Sequence, residues 1–200
     1  MKLQIFLSAS IPVPGREPFD RDTQTKRIRD AVLALVTVCR DRDLILTFGG
    51  HPAISPLVHH AAESLGVMKI VYIYQSEFYR KFIPEAAWKF PNLIWTPDEK
   101  TGPASVAAMR DAMINKDRWK YDAAVFIGGM EGIFDEAWRF HTTFPGQPMI
   151  PLQYTGGATR LLIKEFEGKE GFLWKFPLSE ENAISIFRYR RLLDNLLQVP

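Results

Sequence analysis

The chain has 200 residues, of which 46% are hydrophobic and 24% are charged. These fractions are close to those of an average soluble domain and exclude an intrinsically disordered chain. With 25 Lys and Arg residues against 23 Asp and Glu residues, the formal net charge is +2. A dedicated nucleic-acid binder carries a concentrated basic surface, so this balance argues against a nucleic-acid partner.

Cys39 is the only cysteine, so the chain can form neither an internal disulfide nor a cysteine-based zinc cluster. No apolar run reaches the roughly 18 residues that cross a membrane. The first residues lack the small-residue cleavage site of a secretory signal. We therefore expect one cytoplasmic domain over residues 1–200, with no membrane partner.

Short apolar runs alternate with longer amphipathic segments along the chain. The runs predict strands over 3–8, 43–48, 68–74, 92–95, 123–127 and 149–152, and the segments predict helices over 23–40, 53–66, 78–89, 102–118 and 131–143. Most of these strands are hydrophobic almost throughout, as in strands covered on both faces. The alternation predicts an α/β fold: a Rossmann-like parallel sheet with helices on both faces, in a single domain.

A last helix is predicted over 180–197. Ser179 is its expected cap, and Glu180 and Glu181 stand in its first turn, where the helix dipole favours acids. Leucines recur along this segment and form a broad apolar stripe. The stripe either packs on the domain or forms an interface.

Small, polar and glycine residues follow nearly every predicted strand. They are Ser8, Ala9 and Ser10 after the first; Gly49, Gly50 and His51 after the second; Gln75 and Ser76 after the third; Gly128, Gly129, Met130, Glu131 and Gly132 after the fifth; and Thr155, Gly156 and Gly157 after the sixth. Ligands of open parallel sheets bind at these carboxyl ends, where glycine lets a ligand approach the backbone and a helix start presents N–H groups to an anion. We predict one phosphate- or ribose-binding cleft.

Two common nucleotide motifs are missing from the sequence. It contains neither the Gly-x-Gly-x-x-Gly dinucleotide fingerprint nor a Walker-type Gly-Lys-Ser/Thr, which disfavours a conventional NAD dehydrogenase or ATPase. His59, His60 and His141 are not accompanied by carboxylates at metal-ligand spacing. We therefore expect no metal site and no bound cofactor.

Three basic side chains near the strand ends each have two interpretations. His51 donates a hydrogen bond to a ligand or else bonds its own loop. Arg16 and Arg160 pair with a phosphate or else are surface charges.

Carboxylates and amides near the same ends also have alternatives. Glu136 lies one helical turn after Gly132. It either acts in the cleft, as a catalytic carboxylate or as an acceptor for ribose hydroxyls, or caps the start of its helix. Glu131 and Asp135, on the same turn, are alternative carboxylates for this role. Gln75 and Ser76 are candidates to read a base edge. The aromatic residues are core by default, and one of them, which the sequence does not single out, is a candidate to stack on a base; they are Phe78, Tyr79, Trp88, Trp95, Trp119, Trp138 and Trp174.

The segment Asp122–Glu136 resembles part of the SLOG superfamily, the Rossmann-like group that includes the LONELY GUY phosphoribohydrolases. It is similar to their Pro-Gly-Gly-x-Gly-Thr-x-x-Glu motif, with Ile127 for the proline, one extra residue before Gly132, and Ile133 for the threonine. Met109-Arg110 loosely resembles their catalytic arginine segment. If the chain is an enzyme, the resemblance implies that Glu136 is the catalytic carboxylate and that Arg110 assists it.

The segments 7–12, 48–57 and 74–76 look like the SLOG families linked to TIR domains and bacterial defence. The resemblance covers residues 3–160 and implies that the strand-end loops hold a ligand. Our leading hypothesis is therefore a module that binds a nucleotide-derived small molecule, an NAD- or ADP-ribose-type signal, as a sensor or handler in antiphage signalling. The alternative is a hydrolase that cleaves the N-glycosidic bond of a nucleotide. The resemblance also implies a homo-oligomer and, for a sensor, a separate effector protein.

Overall fold

The computed structural model describes residues 2–172 and 186–197. Within them six strands form one sheet, in the order β4-β3-β2-β1-β5-β6. Every neighbouring pair is parallel. The strands are β1 (Gln4–Ser10), β2 (Ile45–Gly49), β3 (Val71–Ser76), β4 (Asn92–Thr96), β5 (Ala123–Gly128) and β6 (Met149–Pro151). The predicted fold, a single Rossmann-like α/β domain with a parallel sheet, is confirmed.

Seven α-helices are present in the described residues. They are α1 (Thr25–Asp41), α2 (Ser55–Ser64), α3 (Glu85–Trp88), α4 (Gly102–Met113), α5 (Glu131–Thr143), α6 (Ala158–Phe166) and α7 (Ile186–Leu196). Positions 179–185, with the expected cap Ser179, lie outside the described residues. Within the described residues no helix combines the length and apolar character that crossing a membrane requires.

Some elements of the structure differ from the prediction. The helix predicted over 78–89 is a 3-10 turn, Glu77–Tyr79, followed by the four-residue α3, because Pro84 between them cannot donate a helical hydrogen bond. The strand predicted from 68 begins at Val71, after a 3-10 turn. Helix α6 was not predicted, because its nine residues directly follow Thr155-Gly156-Gly157, which we interpreted only as a ligand loop.

The two faces of the sheet build two separate cores. Ile5 and Leu7 of β1 point to the core that contains α1, α2 and α7. Phe6, between them, points to the core that contains α4, α5 and α6. This alternation along one strand places helices on both faces, as predicted.

The order of the strands creates a switch point between β1 and β5. The chain leaves β1 for β2, β3 and β4 on one side and then returns to β5 on the other side. Ser10 is paired with Gly128, so the carboxyl ends of both strands lie at the same level. Ligands of open α/β sheets bind in the crevice at such a point.

Helix α7 packs against α1. Tyr189, Leu193 and Leu197 belong to the same apolar core as the inner face of α1. Two ion pairs flank this contact, Arg42 with Asp194 at 2.6 Å and Arg190 with Asp41 at 2.5 Å. The apolar stripe of the last helix is thus buried within the chain over its described part.

Candidate functional site

A cavity of about 370 Å³ opens at the carboxyl ends of β1, β2 and β3, beside the start of α5. This volume is at the lower end of the range for small-molecule sites. The cavity is lined by Leu7, Ser8, Ala9, Ser10, Gly49, Gly50, His51, Pro52, Gln75, Tyr79, Phe82, Ile83, Val106, Met109, Arg110, Met130, Glu131, Gly132, Ile133 and Glu136. Most of these side chains are apolar, and a few polar groups converge among them, as in typical ligand pockets.

Three polar residues from three elements meet on one side of the cavity. Ser8 at the end of β1 donates a hydrogen bond from Oγ to Glu136 Oε2 at 2.5 Å. Arg110 of α4 donates from Nε to Glu136 Oε1 at 3.1 Å. The Glu136 side chain is 14% exposed. Burial raises the pKa of its carboxyl, while Arg110 and the Ser8 hydroxyl act in the opposite direction.

The Arg110 guanidinium also binds a second carboxylate. Its Nη1 lies 3.0 Å from Asp135 Oδ2, and Asp135 accepts a further hydrogen bond from Arg139 Nε at 2.9 Å. A Cβ atom at position 132 would lie 2.3 Å from Arg110 Nη2. The glycine at this position therefore lets the guanidinium lie against the first turn of α5.

The wall formed by β2 and β3 is polar but uncharged. Gln75 donates from Nε2 to the carbonyl oxygen of Gly50 at 2.6 Å, and a Cβ at position 50 would lie only 2.0 Å from that nitrogen. His51 Nδ1 accepts a hydrogen bond from the Ala53 N–H at 3.2 Å. Burial lowers the pKa of His51, so the imidazole is neutral at neutral pH and carries its proton on Nε2, as the bond to Nδ1 assigns. His51 thus supplies a donor to the cavity, and Gln75 retains an amide oxygen as an acceptor.

An ion pair between Arg16 and Glu131 stands beside the cavity. Arg16, in the loop after β1, places both Nε and Nη2 at 3.1 Å from Glu131 Oε1. Glu131 is the first residue of α5 and lines the cavity, whereas Arg16 does not line it. The pKa of Glu131 is lowered, chiefly by a hydrogen bond from its own backbone N–H and then by Arg16.

The apolar part of the lining includes residues that sequence reasoning did not assign to the site. Phe82 and Ile83 come from the segment after β3, and Val106 and Met109 come from α4. Phe82 is 75% exposed. A large apolar side chain in a segment that directly follows a strand end is the signal that could have identified it. Tyr79, one of the seven aromatic residues among which the sequence makes no choice, lines the cavity.

Within the described residues, none of the tryptophans considered as stacking candidates lines the cavity. Trp88 and Trp95 hold the guanidinium of Arg80, at 4.9 and 4.6 Å from their ring centroids. Trp119 is buried and donates to the Tyr74 hydroxyl. Trp174 lies outside the described residues.

The structure does not bring the loop after β6 to the cavity. Thr155 is buried, and its Oγ1 accepts a hydrogen bond from the N–H of Gly128 at 2.8 Å. A Cβ at Gly156 would lie 2.1 Å from the Asp22 carbonyl oxygen, and one at Gly157 would lie 2.7 Å from that of Gly129. The loop after β6 therefore packs against Gly128 and Gly129 in the loop after β5. None of these residues lines the cavity.

Two further predicted residues are placed in other contacts. Ser76 accepts a hydrogen bond from the Phe78 N–H at 3.2 Å and so caps the turn after β3. Arg160 pairs with Asp22 at 2.7 Å. The described residues contain no cluster of His, Cys, Asp and Glu that could hold a metal ion.

Comparisons with known proteins agree with this architecture. The model of the SLOG cluster3 family matches residues 19–175. The X-ray structure of TM1055, a structural-genomics target, is similar with a TM-score of 0.56 and 16% identity, over 98% of this chain and 99% of that chain. At this identity the likeness shows the fold alone. A search among curated proteins gave no match.

The family match spans β2 to β6 and includes three of the four segments that carried the sequence resemblance to the superfamily, 48–57, 74–76 and 122–136, whereas 7–12 lies before it. It covers more than half of the chain. The predicted superfamily is confirmed, and the chain belongs to the SLOG cluster3 family.

Proposed function

We propose that this protein binds a nucleotide-derived small molecule, an NAD- or ADP-ribose-type signal, in the cavity at the strand ends. The observation that carries the proposal is the convergence of two polar groupings, Ser8–Glu136–Arg110 and His51–Gln75, in one otherwise apolar cavity. Membership of the SLOG cluster3 family supports a nucleotide-related role. In this proposal the protein acts as a sensor or handler of the molecule in antiphage signalling.

Each wall of the cavity suits a different part of such a ligand. The apolar side chains of Tyr79, Val106 and Met109 can enclose a planar base. The Glu136 carboxylate has acceptor capacity beyond its bonds to Ser8 and Arg110, so it can accept hydrogen bonds from ribose hydroxyls. His51 and Gln75 offer a neutral donor and a neutral acceptor, which match the polar edge of a base.

One observation favours a second function, hydrolysis of an N-glycosidic bond. Arg110 Nε lies 3.1 Å from Glu136 Oε1 within the cavity, and these are the two residues that the sequence resemblance assigns to catalysis. In that reaction the bond between ribose C1′ and the base nitrogen breaks, water adds its oxygen to C1′, and the base nitrogen takes a proton. Glu136 would stabilise the oxocarbenium-like transition state.

Mass spectrometry on purified protein separates the two functions. The protein is incubated with NAD, ADP-ribose, cyclic ADP-ribose isomers and nucleoside monophosphates, and both the bulk solution and the protein-bound fraction are analysed. An intact compound retained on the protein is the result expected for binding. Release of a free base replaces the first proposal by the second. If no compound is retained and no base is released, both proposals are overturned.

Two variants locate the result in the cavity. Glu136→Gln is expected to abolish turnover in an enzyme but only to weaken binding in a binding protein. Gly50→Val is expected to lower affinity in either case, because its Cβ displaces Gln75. Glu63→Gln, which removes an exposed carboxylate on α2, is the matched control and is expected to change neither property. Unchanged affinity in Gly50→Val would remove the second loop from the site.

A further inference from the structure

We infer that Phe82, at the mouth of the cavity, stacks on the base of the bound nucleotide-derived ligand. The inference rests on the proposed function and deepens it, because it assigns the residue that recognises the base. Phosphate-bearing compounds such as NAD and ADP-ribose satisfy it, since each of them carries a planar base.

Phe82 stands where the cavity opens to solvent. Its side chain lines the cavity and is nevertheless 75% exposed, the largest exposed fraction of any large apolar side chain in the described residues. Most of the surface of the ring can therefore still be covered by a ligand that enters the cavity. Removing this apolar surface from water favours binding.

Phe82 belongs to a group of apolar side chains around the cavity. Tyr79 and Ile83 of the same segment, and Val106 and Met109 of α4, line the cavity with it. Single exposed apolar residues are common on protein surfaces, whereas a group of them around a cavity marks a ligand site. The group comes from two elements, so a flat ring can lie between them.

The other exposed aromatic residues of the described chain have a different environment. Trp88 and Trp138 do not line the cavity. Arg80 lies over the ring of Trp88 at 4.9 Å and Lys169 lies over that of Trp138 at 4.7 Å. These two rings each bind a cation of the protein itself, whereas the exposed ring of Phe82 borders a cavity.

The turn that carries Phe82 is anchored to α4. Phe82 donates its backbone N–H to the carbonyl oxygen of Tyr79 at 2.8 Å. The hydroxyl of Tyr79 lies against Gly102, the first residue of α4, where a Cβ atom would overlap it. The position of the Phe82 backbone is thus tied to the helix that supplies the facing apolar residues.

Arg80 anchors the same turn on its outer side. Its guanidinium lies between Trp88 and Trp95, at 4.9 and 4.6 Å from their ring centroids, and donates to both carboxylate oxygens of Glu77 at 2.7 and 2.9 Å. A turn that is already ordered loses little conformational freedom when a ligand binds, and this saving favours affinity. The structure therefore presents Phe82 on a preorganised backbone.

A base is the part of the ligand that suits this residue. Every base has a flat π face, and an aromatic side chain that stacks on it contributes substantially to binding. Phe82 has no polar atom in its side chain, so it contacts the face of the base. His51 and Gln75 remain to bond its edge, and the Glu136 carboxylate remains for the ribose hydroxyls.

Calorimetric titration tests the contact with NAD, ADP-ribose, cyclic ADP-ribose isomers and nucleoside monophosphates, all of which carry a base. For the compounds that the wild type binds, Phe82→Ala should lower the affinity at least about tenfold, the usual effect of losing one stacked base. Phe82→Leu, which is apolar but has no aromatic face, should lower it at least about fivefold. Phe82→Trp keeps a stacking face and should bind within about threefold of the wild type. Where the protein cleaves the compound, KM is compared instead.

The Phe82→Trp variant also reports the contact by its fluorescence. A base that stacks on an indole quenches its emission. Binding should therefore lower the emission of this variant more than that of the wild type.

Val13→Ala is the matched control. Val13 is an apolar residue in the loop after β1 that is 52% exposed and does not line the cavity. This variant should keep the wild-type affinity. Urea unfolding should give the same midpoint for Phe82→Ala and the wild type, because substitutions of exposed residues change stability little. A loss of affinity in Phe82→Ala then reports the contact with the ligand.

Failure of the inference and failure of the proposed function give different results. Unchanged affinity in Phe82→Ala, wild-type affinity in Phe82→Leu, or equal emission changes in Phe82→Trp and the wild type would overturn the inference alone. No binding and no cleavage of any compound of the panel by the wild type would overturn both.

Discussion

Gly132 controls how Arg110 enters the cavity. A Cβ at this position would lie 2.3 Å from Arg110 Nη2, so any other residue pushes the guanidinium away from the start of α5. Arg110 would then lose its hydrogen bonds to Glu136 at 3.1 Å and to Asp135 at 3.0 Å. The absence of a Cβ atom at Gly132 thus lets the Arg110 guanidinium reach its position in the site.

Gly132→Ala tests whether Arg110 contributes to binding. We expect affinity for the compound that the wild type retains to fall at least about tenfold, because the displaced Arg110 no longer orients the Glu136 carboxylate, and a charge-assisted hydrogen bond contributes about 1.5–3 kcal/mol. The free energy of unfolding should fall by less than the lost bonds contribute, because the preference of alanine over glycine in a helix, up to about 1 kcal/mol, offsets part of their loss. Calorimetric titration and urea unfolding measure the two quantities. Unchanged affinity would show that Arg110 does not contribute to binding.

Sequence reasoning identified many of the residues that line the cavity but not their mutual contacts. Ser8, His51 and Gln75 are candidates because each stands at or just after a predicted strand end. Glu136 is a candidate because it lies one helical turn after Gly132, in the segment that resembles the superfamily motif. The bond between Glu136 and Arg110 joins residues 26 positions apart. No local pattern reports such a contact, because it depends on how α4 and α5 pack.

At the scale of elements, the 3-10 turn Gln153–Thr155 fixes the end of β5. Thr155 Oγ1 accepts from the Gly128 N–H at 2.8 Å and donates to the Leu152 carbonyl oxygen at 2.6 Å. Gly128 has a φ of +62°, a conformation that favours glycine. The turn after β6 therefore holds the strand end from which α5 and its carboxylates project.

Thr155→Val should destabilise the domain. Valine keeps the shape but removes both hydrogen bonds, and a buried N–H left without an acceptor costs about 1–3 kcal/mol. Thr142→Val is the control, since the exposed Thr142 hydroxyl bonds carbonyl oxygens within its own helix. Urea unfolding measures both variants. Equal effects would mean that the buried hydroxyl does not hold the strand end.

At the scale of the whole molecule, the described part of the last helix completes a core. Leu193 of α7 is fully buried together with Leu35 and Val36 of α1 in one apolar cluster. The two ion pairs at its margin, Arg42–Asp194 and Arg190–Asp41, are partly exposed. Exposed pairs of this kind contribute little, so apolar burial holds α7 in place.

Leu193→Ala should lower the free energy of unfolding by about 2–5 kcal/mol, the usual cost of truncating a buried leucine. Asp194→Asn, which removes only the ion pair with Arg42, should cost less than about 1 kcal/mol. Denaturant unfolding measures both variants, and size-exclusion chromatography records the oligomeric state. A Leu193→Ala variant of unchanged stability that dissociates into smaller species would instead place α7 between two copies. The homo-oligomer itself stays a prediction.

The sequence by itself determined the parallel α/β fold, the family and the edge of the sheet that bears the cavity. The hydrophobic periodicity of the elements and the glycines at the strand ends depend only on residues close together in the sequence. The folded chain keeps the elements that these local patterns predict. Only the tertiary structure decided which strand-end loops stay open. Gly49-Gly50 and Gly156-Gly157 look alike in the sequence, but the backbone at Asp22 covers Gly156, whereas Gly50 faces the cavity. Whether a loop is covered depends on segments far away in the chain, and their packing is fixed only when the whole domain folds.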